Sequence, residues 1–289
     1  MNTEGPSCEK VTSATKDELI YCLKNSEEYA LFLLSNLETY GLELSDALYS
    51  GTFKVVREGG QFAAAFCLTK KGTLLVHSDK KGVKIYDAII QSCLEEKIPI
   101  SGALGKWSFA WALWNALKQK GLIQKETFIE KEVLYTLDLK NNSYLPDPDV
   151  RLMQARDFEM WVKLREAYVQ EMGFPAISWE EMREEFMIKV AQKISWGLFI
   201  GDQLVAIADL NAHFADLGQL GGVYTVREFR KQGFSTRLVR HLVCDCKALH
   251  RMRKLIIFTG ENNLEARRVY ESMGIIPYGE YALLFGVPQ

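Results

Sequence analysis

The stretch that decides the fold is REFRKQGFSTRL, residues 227–238. It sets the basic pair Arg230 and Lys231, then Gly233, then the small hydroxyl residues Ser235 and Thr236 directly ahead of an amphipathic run. In that run the apolar residues 238, 239, 242, 243, 246 and 249 recur at helical spacing. Just upstream, LGGVYTV (220–226) reads as a strand. A strand, a basic loop with a glycine and a helix, in that order, gather unpaired backbone N–H groups and the positive end of a helix dipole at one point. That is a place for phosphate. Gly233 removes a side chain where the backbone must approach the anion, and Ser235 and Thr236 are expected to cap the helix. The loop lacks the Lys and spacing of a nucleotide P-loop, and it contains no GxGxxG. A capped helix behind a basic loop, with no ligand, is the plain alternative for this stretch taken alone.

Working outward, DFEMWVKLREAYVQEM (157–172) and SWEEMREEFMIKVAQK (178–193) have helical spacing, with Ser178 and Glu181 forming a capping box. WGLFIGDQLVAIADLN (196–211) reads as a hairpin around a Gly-Asp turn. After the amphipathic run come a short strand, KLIIFT (254–259), a helix, NLEARRVYESM, ending before Gly274, and a last strand, YALLFG. The first half repeats this order in outline. FKVVREGGQFAAAFCL (53–68) is a hairpin around Gly59 and Gly60, YDAIIQSCLEE (86–96) is a helix, and FAWALWNALKQKGLI and EKEVLYTLDL parallel the last helix and strand. LKNNSYLPDPDVRLM (139–153) interrupts every periodic pattern between the two. A duplicated α/β domain accounts for both the length and the break.

Composition narrows the function. The 289 residues exceed the usual single-domain size, so two cores are expected. Lys and Arg total 35 against 37 Asp and Glu, a net charge of -2, so any anion site is local and no nucleic-acid footprint covers the chain. No apolar run approaches the roughly 20 residues of a membrane span, and the N-terminal MNTEGPSCEKVTSATKDEL has no apolar leader core. The sequence therefore reads as cytoplasmic, with no membrane partner. Cys8, Cys22, Cys67, Cys93, Cys244 and Cys246 are scattered, form no CxxC and suit reduced thiols. His241, Cys244, Cys246 and His250 share one helix but point to opposite sides of it, so one tetrahedral metal cannot take all four. The NNS triplet at 141–143 matches a glycosylation sequon, which has meaning only in a secreted chain.

The segment RKQGFS (230–235) resembles the R/Q-x-x-G-x-G/A signature of the GNAT acetyltransferase superfamily, with Ser235 where Gly or Ala is usual. Downstream, NLEARRVYESMGI resembles that superfamily's second signature through Asn263, Ala266, Tyr270, Glu271 and Gly274. The resemblance covers roughly 150–289 well and 17–140 only in element order. It implies an α/β chain of two tandem GNAT-like domains, each a mixed, mostly antiparallel sheet flanked by helices. Residues 1–145 would be a degenerate domain and 146–289 the catalytic one. It further implies acetyl-CoA as acyl-donor substrate, an amine as acceptor, no metal, no nucleic acid, and a monomer or homodimer.

Position by position, the resemblance assigns the backbone of Val223, Tyr224 and Thr225 to the pantetheine arm. Arg230, Lys231, Gln232, Gly233, Phe234, Ser235 and Thr236 would surround the pyrophosphate, and Asn263 would sit near the thioester. Tyr270 would protonate the departing thiolate, a role that suits a phenol because its ordinary pKa of about 10 keeps it protonated at neutral pH. A half-buried helix aromatic is the bland reading of Tyr270. The strand 220–226 holds no acid, and Phe258 occupies the other common location of a base. Asp209, His213, Glu261 or water remain as candidates for deprotonating the amine.

The first half departs from the pattern where it should bind. Its loop SDKKGVKIY (78–86) keeps Gly82 but has Asp79 and Lys84 at the signature's other places, and no Tyr matches Tyr270. Asn115 stands among Trp107, Phe109, Trp111 and Trp114, which read either as core or as part of an acceptor pocket. This half is expected not to catalyse. Two other readings stay open: transfer of a longer acyl chain, as in glycine N-acyltransferase-like members, and a non-catalytic acyl-CoA sensor.

Overall fold

The structure is a computed structural model that describes residues 5–140 and 142–289. Asn141 of the sequon and the first four residues lie outside them. The chain forms two compact units. One runs to Val133 and takes in Gly279–Gln289, and the other is Leu134–Tyr278.

The first unit contains β1 (Ser7–Lys10), α1 (Lys16–Lys24), α2 (Glu27–Tyr40), β2 (Gly51–Glu58), β3 (Gln61–Thr69), β4 (Thr73–His77), α3 (Val83–Glu96), β5 (Gly102–Lys106), α4 (Trp107–Gln119) and the start of β6 (Ile123–Asp138). The β2–β3 hairpin turns at Gly59 and Gly60, both with positive φ, the geometry that lets a two-residue turn follow the strand twist. Strands β1 to β5 lie side by side, antiparallel except for the parallel pair β4 and β5. Helices α3 and α4 bury Ile85, Ile89, Leu113 and Trp114 in the core of this unit.

The second unit contains β7 (Val150–Leu152), α5 (Phe158–Met172), α6 (Trp179–Gln192), β8 (Ser195–Ile200), β9 (Gln203–Phe214), β10 (Leu217–Thr225), α7 (Phe234–Ala248), β11 (Lys254–Gly260), α8 (Leu264–Ser272) and the start of β12 (Ile276–Pro288). Its strands lie in the order β11-β10-β9-β8-β7, and only β10 and β11 are parallel. The fold class is therefore mixed α/β with a mostly antiparallel sheet flanked by helices. Ser178 caps α6 by accepting from Glu181 N at 3.2 Å while Glu181 accepts from Ser178 N at 3.1 Å, the capping box that the sequence predicts. Helices α5 and α6 pack Trp161 and Phe186 against Ile207 of β9 and Tyr224 of β10, and α7 packs on β8, β9 and β10.

The units are not the two contiguous halves 1–145 and 146–289 that the break at 139–153 suggests. From Gly279 onward β12 belongs to the first unit, where Tyr281–Phe285 pair antiparallel with Gly102–Lys106 of β5. From Leu134 onward β6 belongs to the second, beside β11. Both strands are long, 16 and 13 residues; β6 carries no turn signal at Leu134, whereas β12 has Pro277 and Gly279 where it changes unit.

Candidate functional site

The parallel pair β10 and β11 matches only from Leu217 with Lys254 to Leu220 with Ile257. Beyond that, Gly221–Thr225 run on without a β11 partner. On its other side β10 is bulged: Gly221 faces Asp209 and Tyr224 faces Ile207, so Gly222 and Val223 together oppose a single residue of β9. Gly222 makes this bulge at φ +61. The end of β10 thus offers backbone groups on the side away from β9, and the Thr225 hydroxyl is buried there without a hydrogen-bond partner. Val223, Tyr224 and Thr225 lie in this segment. Such an unpaired strand edge suits an amide-containing chain laid alongside it.

The loop that follows supplies amides. None of the N–H groups of Lys231, Gln232, Gly233, Phe234, Ser235 or Thr236 donates to another backbone group, and the first bond into α7 is Arg237 N to Gly233 O at 3.0 Å. Contrary to the expectation from sequence, Ser235 and Thr236 do not cap α7. The cap position is Gly233, at φ +80 and with no side-chain bond, and the two hydroxyl residues sit inside the first turn. The helix therefore begins with its N–H groups uncovered, and a Cβ built on Gly233 meets nothing within 4 Å. Open space, unpaired amides and a helix dipole are features that suit an anion.

Arg230 does not project a free charge into this site. Its guanidinium bonds Glu171 at 2.8 and 2.9 Å and Thr225 O at 3.0 Å, and it lies 5.3 Å from the Tyr224 ring centre. Arg227 bonds the same carboxylate at 3.2 Å. The bonds from Arg230 hold the Glu171 carboxyl below its ordinary range. Gln232 reaches only Glu228 O at 3.4 Å, and Phe234 packs on Phe229.

Across the open end, Asn263 is the cap of α8, with its Oδ1 accepting from Ala266 N at 3.1 Å, so its amide NH2 is the group left to meet a ligand. Tyr270, one helix face on, is 5 % exposed, with its ring 5.9 Å from that of Tyr135.

The three acids and bases considered from sequence part company. His213 pairs with Gly218, where β10 and β11 are still in register, several residues from the bulge. Glu261 follows the end of β11, and its carbonyl accepts from Arg267 at 3.1 Å. Asp209 lies beside the bulge: its Oδ2 would be 3.4 Å from a Cβ on Gly222. It is fully buried, however, and bonded to Lys189 Nζ at 2.9 Å. Lys189 in turn bonds Glu185 at 2.6 Å, which Arg165 also reaches at 3.3 Å. Burial alone would raise the Glu185 carboxyl, but Lys189 and Arg165 outweigh it and hold it at about 2. Burial would likewise discharge Lys189, and Asp209 and Glu185 reverse that and raise it. The sequence pointed to Asp209 but not to its partners Lys189, Glu185 and Arg165, nor to Glu171. The i, i+4 spacing of Glu185 and Lys189 and an acid inside an apolar strand were the only legible traces of the cluster.

The first unit differs at the matching place by a charge pair. Its β4 and β5 pair from Thr73 with Gly102 to Leu75 with Leu104, and just past that Lys106 Nζ bonds Asp79 Oδ1 at 2.9 Å. Ser26 holds the other Asp79 oxygen at 3.0 Å. Phe109 and Trp114 are core residues, while Trp107 and Trp111 stack at 5.1 Å and are partly exposed. In the second unit, His241 meets Asp147, Cys244 bonds Tyr144 O and His250 bonds Lys193 O. All six cysteines are free thiols, no metal-binding cluster occurs among the described residues, and no helix there is long and apolar enough to cross a membrane.

A parallel pair that ends early, with uncovered amides at the next helix start, lies in a mixed α/β fold. Residues 158–275 match the sequence model of the Acetyltransferase (GNAT) family, and this part of the chain is a GNAT domain. Solved structures similar to the chain extend the likeness of fold to its full length. A Drosophila protein is 15% identical with a TM-score of 0.72, covering 98% of this chain and 99% of its own. A GCN5-related N-acetyltransferase from Sphaerobacter thermophilus is 14% identical at TM-score 0.62, with 96% and 94% covered. A tandem GNAT protein from the clavulanic acid biosynthesis pathway is 14% identical at TM-score 0.58, with 98% of each covered. No curated protein gives a significant sequence match.

Proposed function

We propose that the second unit is an N-acetyltransferase that passes the acetyl group of acetyl-CoA to a primary amine of a small molecule or a peptide N-terminus. The observation that carries this reading is the run of six unpaired amides, Lys231 to Thr236, next to the unpartnered end of β10. The residues present fit the donor: the amides suit a pyrophosphate, the backbone of Val223 to Thr225 suits the pantetheine amides, and the Asn263 NH2 suits a carbonyl near the thioester. Bound there, acetyl-CoA supplies an activated acyl group.

The reaction requires little more of this chain. A deprotonated amine forms the new C–N bond at the thioester carbonyl while the C–S bond breaks. A bulge N–H at Gly222 or Val223 polarises the carbonyl oxygen. Tyr270 gives its proton to the sulfur as it leaves. Asp209 is poorly suited to take the amine proton, because Lys189 already neutralises it and no solvent reaches it. Water beside the bulge or Glu261 is the better acceptor. The first unit, with Lys106 and Asp79 across its strand ends, is proposed not to bind acetyl-CoA.

The test is thiol release from acetyl-CoA across a panel of amines, compared with propionyl-CoA and longer acyl-CoAs. Turnover with acetyl-CoA and a primary amine supports the reading. Preference for long chains would replace acetyl with a larger acyl group, and tight acetyl-CoA binding without turnover on any amine would make the chain a sensor.

A further inference from the structure

Lys231 sits at φ +62, the left-handed region that residues with side chains avoid. It opens the run of unpaired amides, and Gly233, two residues on, adopts φ +80, where glycine carries no steric cost. A strained residue of this kind persists only where its surroundings over-determine it. Directly before it, Arg230 is fixed by two bonds to Glu171 and one to Thr225 O, with its guanidinium over Tyr224. Arg227 ties the start of the same turn to the same carboxylate. Glu171, on the last turn of α5, therefore anchors both ends of the turn 227–230.

We propose that Glu171 is a positioning residue: through Arg230 and Arg227 it holds Lys231 left-handed and so pre-forms the amide loop for pyrophosphate, without touching the ligand. This rests on reading Lys231 to Thr236 as the pyrophosphate site. The rival role for the same contact has the opposite sign. If Glu171 were a stand-in anion that phosphate must displace from Arg230, removing it would tighten binding. The geometry favours positioning, because Arg230 is also held by a backbone carbonyl and an aromatic face that no phosphate would replace.

The test is calorimetric titration of full-length protein with acetyl-CoA in a four-member cycle: wild type, Glu171→Ala, Lys231→Gly and the double variant. Glu171→Ala should weaken binding about tenfold, which corresponds to ~1.4 kcal/mol. Glycine adopts positive φ without a steric cost, so in the Lys231→Gly background Glu171→Ala should change affinity by less than about twofold. Tighter binding by Glu171→Ala, or the same loss in both backgrounds, would overturn the proposal. So would unchanged affinity for Glu171→Ala. Wild-type protein that binds no acetyl-CoA at all would remove the phosphate site itself and the inference with it.

Discussion

Lys189 Nζ lies 2.9 Å from Asp209 Oδ2 in the interior of the second unit, while the other oxygen of Asp209 is buried with no hydrogen-bond partner. Two charges taken out of water contribute little net stability together, but either one left alone is costly. Lys189→Met should therefore destabilise the protein by about 3–5 kcal/mol, and Lys189→Met with Asp209→Leu by clearly less. Urea midpoints of the three proteins decide this. Equal losses for the single and the double variant would mean that the pair acts by packing alone.

Glu185 gives the same cluster a pH signature. Its folded carboxyl is held at about 2 by Lys189 and Arg165, below the ordinary glutamate value of about 4.3. A depressed carboxyl contributes stability that is complete above the unfolded value and is lost as pH falls through the folded one. The melting temperature should therefore drop between roughly pH 4.5 and pH 2, and Glu185→Gln should flatten that drop while lowering stability at neutral pH. Parallel curves for both proteins would remove Glu185 from the acid response.

Much of this was legible in the sequence because it is local. The helical run of α7 and the capping box at Ser178 each depend on residues within a few positions of one another, although the cap of α7 is Gly233 and not the hydroxyl pair expected. The β2–β3 hairpin was legible for the same reason, through Gly59 and Gly60. What escaped depends on distant partners. Arg230 reads as a phosphate cation from its signature, yet its charge is spent on Glu171, a residue from an earlier helix. Asp209 reads as a candidate base, yet Lys189 of α6 claims it. The passage of β6 from one unit to the other at Leu134 is a matter of pairing alone, which strand composition does not encode.

The passage of β6 and β12 between units also decides how the one-site reading is best tested. A fragment beginning at residue 145 would lack Leu134–Asp138 and carry Gly279–Gln289 away from its unit, so separate halves are poor reagents. In the intact chain, acetyl-CoA should bind with one equivalent per chain, since Lys106 and Asp79 bridge the first unit's strand ends at 2.9 Å. Titration calorimetry gives the stoichiometry directly. Two equivalents would show that the first unit binds as well.

Gly233 tests the phosphate loop by backbone geometry. A Cβ there meets no atom within 4 Å, so Gly233→Ala introduces no clash, only strain at φ +80. An alanine held left-handed costs roughly 1–2 kcal/mol, and acetyl-CoA affinity should fall about 5- to 30-fold if the loop must keep its shape to bind. Gly233→Val, which adds a branched side chain over the amides, should lose more. Unchanged affinity in both would place the phosphate elsewhere.

Tyr270 separates an enzyme from a sensor. Its ring is buried beside Tyr135, and Phe keeps that ring and its packing, so Tyr270→Phe should leave stability and acetyl-CoA affinity nearly unchanged. What the variant loses is the proton for the departing thiolate, and loss of a positioned general acid costs on the order of 10² to 10⁴ in rate. With a working acceptor, kcat should fall by that amount while KM for acetyl-CoA holds, the pattern of an interaction made mainly in the transition state. If turnover survives in Tyr270→Phe, protonation belongs to water or to another residue. If kcat and KM move together, Tyr270 acts in binding, and its phenol is part of the cleft wall rather than the acid.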